Sequence, residues 1–162
     1  MLHLIKDIAD NFFNFLSQDP VRPAIPHSKR VGTNRDVFVL KDEDTVKAIT
    51  CVSYQDRIPT DEDELFSETV APTVAVFYTI WSYAPGAGRQ LIFDSVKHIQ
   101  TQQVGITRFV TLSPKTELAK RFHLKNGAHI FKENTETVNY EYTVIKSINE
   151  AKHYENQDTA SR

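Results

Sequence analysis

A serine and a histidine lie ten residues apart in a stretch whose residue types suit acid–base chemistry. Ser113 ends a β-branched, apolar run, and His123 follows in a stretch with helical spacing. A helix rises about 1.5 Å per residue, so a straight helix would separate the two by about 15 Å, too far for a hydrogen bond. Either the helix is broken near residues 120–122, or the two act on different parts of one substrate. The purely structural alternative is a helix cap and a partly buried histidine.

The elements around these two residues are a strand and a helix. Residues 106–112 are predicted to form the strand, and residues 114–126 the helix. Ser113 is expected to be the N-cap, with Pro114 at the first helical position. The helix is expected to end at Asn126-Gly127, because glycine tolerates a left-handed cap. The predicted apolar face of the helix carries Leu118, Phe122 and Ala119.

A second strand–helix unit precedes the first one. Residues 73–81 form the most β-prone run, typical of a central strand, and a helix is predicted from Leu91 to Gln103. Between them lies the loop Tyr-Ala-Pro-Gly-Ala-Gly, residues 83–88. Such a loop lets backbone N–H groups and a helix N-terminus approach a phosphate group, so the pattern favours a phosphate-binding site.

The rest of the chain supplies further elements. Residues 2–16 carry apolar side chains at helical spacing and are predicted to form an amphipathic first helix. Residues 36–41 and 45–54 are predicted to form a hairpin. Residues 130–131 and 137–145 are expected to be closing strands, and residues 1–146 a single domain followed by a polar tail, 147–162.

The composition favours a soluble, cytoplasmic protein. The net charge is −2, no apolar run approaches the length of a membrane helix, and charges at Lys6 and Asp7 argue against a signal peptide. The only cysteine, Cys51, lies in an apolar strand pattern and is expected in the core. We therefore expect neither nucleic acid nor membrane as a partner, although strand edges could pair into a homodimer.

The glycine loop resembles the pyrophosphate-binding loop of the GNAT acetyltransferase fold, whose pattern is Gln/Arg-x-x-Gly-x-Gly/Ala. Gly86 and Gly88 fit this pattern, whereas Tyr83 departs from it. The order of elements fits the same fold over nearly the whole chain. The resemblance implies an α+β fold of mixed α/β character, with a central, mostly antiparallel mixed sheet of about seven strands flanked by helices.

Four motifs give a narrower resemblance, to the catalytic domain of malonyl-CoA decarboxylase, itself a GNAT-like fold. They are FYTI at 77–80, TLSP at 111–114, FHLKNGA at 122–128 and VNYEY at 138–142, in the same order as in that family. The resemblance implies that the catalytic residues are Thr79, Ser113, His123 and Tyr142. It implies that the residues binding the thioester carrier are Trp81, Pro85, Gly86, Ala87, Gly88, Arg89 and Asn126.

The sequence also departs from that family. It lacks the long insertion between the serine and histidine motifs and the helical N-terminal domain, and Pro85-Gly86-Ala87 replaces an acidic residue of the loop. Losing these coenzyme A contacts makes a malonyl group on the phosphopantetheine arm of acyl carrier protein at least as attractive a substrate as malonyl-CoA. Acyl carrier proteins are acidic, which would suit the basic residues Arg89, Lys115, Lys120, Arg121 and Lys125.

Decarboxylation of a malonyl thioester needs hydrogen-bond donors at the enolate oxygen and a proton source, and it needs no metal or organic cofactor. We expect His123, with a pKa near neutrality, to return the proton to carbon, and Thr79 or Ser113 to orient the carboxylate. Two alternatives remain open. One is an acetyl-CoA-dependent N-acetyltransferase with Tyr140 or Tyr142 as acid. The other is a non-catalytic binding module whose site is filled by the acidic loop, residues 56–68.

Overall fold

A computed structural model describes residues 1–143, so the predicted polar tail at 147–162 lies outside the described residues. The described chain forms one eight-stranded sheet. Its strands are β1 (Leu2–Ile5), β2 (Arg35–Asp42), β3 (Thr45–Gln55), β4 (Val74–Ser82), β5 (Arg108–Thr111), β6 (Ser113–Pro114), β7 (Ala128–Glu133) and β8 (Thr137–Tyr142). Its α-helices are α1 (Ala87–Gln102) and α2 (Glu117–Lys125).

The sheet is mixed but mostly antiparallel, as predicted. Strands β1 to β5 follow in order, β8 pairs with β5 and β6 along one edge, and β7 pairs with its other edge. Among the described strands only β4 and β5 pair in parallel, and α1 is the crossover between them. Their paired register ends at Phe77 and Thr111, although β4 continues to Ser82. The two strands therefore part beyond this point.

Two apolar clusters cover opposite faces of the sheet. The helix face carries the cluster that includes Phe38, Phe77, Phe109 and Tyr140 of the sheet and Leu91 of α1. The loop face carries the cluster that includes Val37, Val76, Tyr78 and Leu112 of the sheet, together with Leu16, Ile25 and Leu65 from the connecting segments. Cys51 is fully buried on the loop face, which confirms its predicted place in the core.

The predicted first helix is wrong. Residues Leu2–Ile5 form an edge strand along β2, and a short 3-10 helix spans Phe13–Gln18. Between them, the carboxylate of Asp7 accepts from the backbone N–H of Ala9 and that of Asp10 accepts from Phe12. These hydrogen bonds from the backbone to aspartate side chains compete with those of a helix, and the backbone of residues 2–5 pairs with β2 instead.

The predicted start of the second helix is also wrong. Ser113 and Pro114 extend the sheet as β6, and the N-cap is Thr116, whose hydroxyl accepts from the backbone N–H of Ala119. Leu118 points into solvent, because the helix packs through Ala119, Phe122, His123 and Asn126 instead. The predicted C-terminal cap is confirmed: Gly127 has a φ of +99°.

Neither α-helix in residues 1–143 has both the length and the apolar character of a membrane span.

Candidate active site

A cavity of about 460 Å³ opens where the glycine loop meets α2. Its lining residues are Ser82, Tyr83, Ala84, Pro85, Gly86, Gly88, Arg89, Phe122, Lys125 and Asn126. The fold therefore brings together five of the predicted carrier-binding residues: Pro85, Gly86, Gly88, Arg89 and Asn126. Ala87 is the buried first residue of α1 within the same turn.

The structure explains why residues 86 and 88 of the loop are glycines. Gly86 caps α1 with a φ of +78°, a conformation that side chains disfavour. Gly88 lies against the ring of Phe122, where an added Cβ would stand 3.1 Å from two ring carbons. The absence of side chains lets the first turn of α1 face the cavity directly, and the first N–H groups of a helix have no partner within it. The turn is therefore suited to an anionic group.

Two basic side chains add positive charge to the cavity. Arg89 is held by a hydrogen bond from its Nη1 to Asn126 Oδ1, 3.2 Å, and its guanidinium lies over the ring of Phe93. Lys125, in the last turn of α2, also lines the cavity. The helix terminus and these two cations make the cavity electropositive, which is the environment that phosphate groups require.

His123 and Tyr142, both predicted as catalytic, are hydrogen-bonded to each other. The imidazole Nδ1 lies 2.8 Å from the hydroxyl oxygen of Tyr142, and the ring stacks on Tyr140 with centroids 5.0 Å apart. His123 follows Phe122 directly in α2, so the pair lies behind the wall of the cavity on the helix face. Each of three residues of the FHLKNGA motif therefore has its own place: Phe122 lines the cavity, His123 is the buried imidazole, and Asn126 accepts the hydrogen bond from Arg89.

Burial lowers the pKa of His123 to about 4, because the charged imidazolium would lose its solvation. The expectation of a pKa near neutrality is therefore wrong, and the ring is neutral at pH 7. A neutral imidazole whose Nδ1 accepts from a tyrosine hydroxyl carries its own proton on Nε2. In that tautomer the ring is a hydrogen-bond donor at Nε2.

Ser113 lies on the helix face but is not paired with His123. Its hydroxyl donates to Thr111 Oγ1, 2.8 Å, and the same oxygen accepts from the backbone N–H of Tyr140, 3.1 Å. The ring of Tyr140 stacks on His123, so Ser113 is connected to the imidazole through two intervening residues. The expected break in the helix near residues 120–122 does not occur, because α2 runs unbroken from Glu117 to Lys125.

Two predicted site residues point away from this group. Thr79 donates to Asp19 Oδ1, 2.7 Å, on the loop face, and the ring of Trp81 belongs to the loop-face cluster. Thr79 points to the loop face because β4 contains a bulge. Cys51 pairs with Thr79 and Val52 pairs with Phe77, so Tyr78 is an extra residue of β4 that shifts the alternation of side chains. The structure therefore does not bring Thr79 or the indole of Trp81 to His123.

The acidic loop does not fill the cavity. Its Glu62 pairs with Arg22, and Leu65 is fully buried in the loop-face cluster. Carbonyl groups of Pro59 and Thr60 accept from Asn139 and Thr137 on β8. The loop is thus a structural cover of the other face of the sheet.

Sequence reasoning missed a charged group on the loop face. Asp19 and Arg30 form an ion pair of 2.6 Å with both side chains at 0% exposure. Arg22 donates from Nε to the carbonyl of Tyr78 and from Nη2 to that of Leu112, 2.8 Å each. These residues lie in an aperiodic segment with prolines, and only their isolated charges among the apolar residues Leu16, Ile25 and Val31 could have indicated the group.

No cluster of three or more His, Cys, Asp or Glu side chains that could hold a metal ion occurs among residues 1–143. The prediction that the reaction needs no cofactor stays a prediction.

Solved structures with this fold include enzymes of two kinds. Malonyl-CoA decarboxylase from Agrobacterium vitis matches with a TM-score of 0.74 and 16% identity, covering 94% of this chain and 62% of that one. The enzyme from Cupriavidus metallidurans gives a TM-score of 0.71 at 13% identity, covering 88% and 60%. A Bacillus subtilis acetyltransferase in complex with CoA gives 0.60 at 11% identity, covering 89% and 98%. Neither a family model nor a curated protein sequence matches the chain.

These likenesses confirm the predicted GNAT-like fold and the resemblance to malonyl-CoA decarboxylase structures. At such low identity they show the fold alone. The chain spans about three fifths of the length of the decarboxylases that it matches.

Proposed function

We propose that this protein decarboxylates a malonyl thioester to the acetyl thioester and carbon dioxide. The observation that carries the proposal is the buried, neutral His123, held by Tyr142 behind an electropositive cavity. The likeness to malonyl-CoA decarboxylase structures supports the same class of reaction. The cavity takes the phosphate end of the carrier, and its pantetheine arm leads the thioester along α2 toward His123.

The reaction breaks the bond between the α-carbon and the carboxylate. The electron pair of that bond passes to the thioester, and negative charge develops on the thioester oxygen as carbon dioxide leaves. In the tautomer that carries its proton on Nε2, His123 donates from Nε2–H to this oxygen, while its Nδ1, 2.8 Å from the Tyr142 hydroxyl oxygen, accepts the hydroxyl proton. A neutral imidazole suits this task because a donor placed in a dry site stabilises developing charge strongly.

The pKa of His123 changes the role first expected of it. A ring with a pKa near 4 carries no extra proton at pH 7, so it stabilises the oxygen rather than protonating the carbon. Water supplies the proton to the α-carbon, and the Ser113 hydroxyl, on the same face, orients that water or the departing carboxylate.

The carrier is a phosphopantetheine thioester, and the surface beside the cavity favours acyl carrier protein over free coenzyme A. Lys115, Lys120, Arg121 and Lys125 are exposed on α2 and the turn before it, and Lys125 also lines the cavity. An acidic carrier protein would meet this basic surface while its arm enters the cavity. The acetyl product would then be a primer for fatty acid synthesis.

The test is incubation of the purified protein with malonyl-acyl carrier protein and, separately, malonyl-CoA, with mass spectrometry of the thioesters. We expect loss of one carbon dioxide and a large fall in rate for His123→Gln, which cannot place the same donor. We expect Lys120→Glu combined with Arg121→Glu to slow the reaction of the carrier protein only. If both substrates survive intact with the wild-type protein, the proposed function is wrong.

An N-acetyltransferase is the second candidate, because the fold is shared with acetyltransferases, one of them in complex with CoA. Burial raises the pKa of Tyr140, which weakens it as the acid of that reaction, and Tyr142 is committed to His123. Consumption of acetyl-CoA on addition of amines, with no loss of carbon dioxide from the malonyl substrates, would favour this candidate.

A further inference from the structure

Arg22 occupies the point where the parallel strands separate. The last strand-to-strand hydrogen bond there runs from the backbone N–H of Leu112 to the carbonyl of Phe77, 3.0 Å. Beyond it, Arg22 donates from Nε to the Tyr78 carbonyl and from Nη2 to the Leu112 carbonyl, 2.8 Å each. The guanidinium therefore bridges the two strands from the loop face, in place of further ladder bonds.

The side chain is a cation in a mostly buried position. It is 10% exposed, and its one carboxylate partner among the described residues is Glu62, 3.0 Å away and itself 45% exposed. The nearby Asp19 side chain is already committed to Arg30, 2.6 Å away. A guanidinium has five N–H donors, and three of them are engaged, which leaves two for a ligand.

Arg22 lies close to Ser113, one of the predicted catalytic residues. Leu112, whose carbonyl Arg22 binds, is followed directly by Ser113 on the helix face. A thioester that enters from the cavity and reaches His123 would have its acyl end directed at the gap between β4 and β5. Arg22 closes the far side of that gap.

We propose that Arg22 binds the free carboxylate of the acyl group and so selects a carboxylated thioester over an uncharged one. This inference depends on the proposed function for the identity of the acyl group. Arginine is suited to a carboxylate because its planar fork donates two parallel hydrogen bonds. Because Arg22 already donates to three acceptors, its contact with a substrate carboxylate is weaker than that of a free guanidinium. A weaker contact suits the reaction, since the carboxylate charge disappears as carbon dioxide leaves and a very strong contact would stabilise the ground state.

The test measures selectivity of binding, with turnover suppressed by His123→Gln. Malonyl-CoA and acetyl-CoA are titrated calorimetrically, as are malonyl- and acetyl-loaded acyl carrier protein. We expect the malonyl form to bind about tenfold more tightly than the acetyl form, as for one charge-assisted contact. Adding Arg22→Gln should abolish this preference and change acetyl-thioester affinity by less than about twofold. Arg57→Gln, the loss of an exposed arginine on the acidic loop, should leave the preference intact.

A second variant moves the preference in the opposite direction. Glu62→Gln removes the carboxylate that competes for Nη1 of Arg22, so it should raise the malonyl preference by about threefold. Asp63→Asn, an exposed neighbour with the same change in charge, is the control and should have no such effect. If Arg22→Gln does not fold, Arg22→Lys takes its place and should retain part of the preference.

The outcomes separate this inference from the proposed function. Decarboxylation by the wild-type protein with no malonyl preference, or with a preference unaffected by Arg22 and Glu62, overturns the role of Arg22 alone. A preference that depends on Arg22, without decarboxylation by the wild-type protein, overturns the proposed function alone. If neither pair of thioesters binds and the wild-type protein does not decarboxylate either, both are overturned.

Discussion

Beside the cavity, on the helix face of the sheet, two pairs of buried polar groups are neutral: His123 with Tyr142, and Ser113 with Thr111. On the loop face, Asp19 and Arg30 form an ion pair whose two charged side chains have no exposed surface. Charged groups hold the loop segments in place, because a buried ion must keep its partner. Neutral groups beside a cavity can exchange their partners for a substrate at much smaller cost. The difference indicates that the ion pair of the loop face holds the fold and that the neutral pairs of the helix face carry the reacting groups, while Arg22 reaches from the loop face to the gap between β4 and β5.

The largest effect is expected from breaking the ion pair. Arg30→Met leaves Asp19 charged and buried, and we expect a loss of about 3–5 kcal/mol in the free energy of unfolding, measured by urea denaturation. Arg57→Met, which removes a largely exposed arginine, should cause no measurable change. A small loss for Arg30→Met would mean that the loop face does not depend on this pair.

The pH dependence of stability should identify the neutral histidine. Its pKa is about 4 in the folded protein and about 6.5 in the unfolded chain, so the unfolded state binds more protons between these values. Stability should therefore fall by about 3 kcal/mol as pH decreases from 6.5 to 4. His123→Gln lacks this contribution, so the difference in unfolding free energy between the two proteins should change by this amount over the window. A constant difference would mean that the imidazole is not buried as described.

The sequence predicted the central elements well because their signals are local. The hairpin of β2 and β3, the apolar strand β4 and the glycine loop each carry their pattern within a few residues. The N-terminal segment failed because its apolar spacing fits a helix, whereas β2 offers it an edge and two aspartates bond to their own backbone. Propensity is a weak prior against such tertiary pairing.

The candidate site was predicted only in part, because short motifs give residue types but not side-chain directions or partners that are distant in the chain. The family resemblance supplied the residue types of His123 and Tyr142, and the fold joins them. It could not supply the side of the sheet on which Thr79 points, because that depends on a bulge between β3 and β4. Nor could it supply Arg22, whose partners lie 56 and 90 residues away in the chain.

Thr79→Val tests whether the loop face takes part in the chemistry. The substitution removes a hydrogen bond to the buried Asp19 carboxylate, and we expect a loss of about 2 kcal/mol in unfolding free energy. Because the hydroxyl points away from His123, the rate of decarboxylation per folded molecule should be unchanged, and Thr79→Ser should restore the stability. A fall in rate with stability preserved would instead support the catalytic role that the family resemblance implied.

The smallest effect concerns the contact between the loop and α2. Gly88→Ala places a Cβ 3.1 Å from two carbons of the Phe122 ring, which must shift by a few tenths of an ångström and change the cavity wall. We expect the free energy of unfolding to change by less than about 1 kcal/mol, since alanine favours the helix while the contact with Phe122 opposes it. Coenzyme A should bind a few times more weakly, as measured by calorimetry.

Gly86→Ala is the matched variant: its added Cβ meets open space, and its cost in stability comes from the φ of +78°. It should therefore lower stability with a smaller effect on binding. Equal weakening of coenzyme A binding by both variants would place recognition in the loop backbone rather than in the position of Phe122.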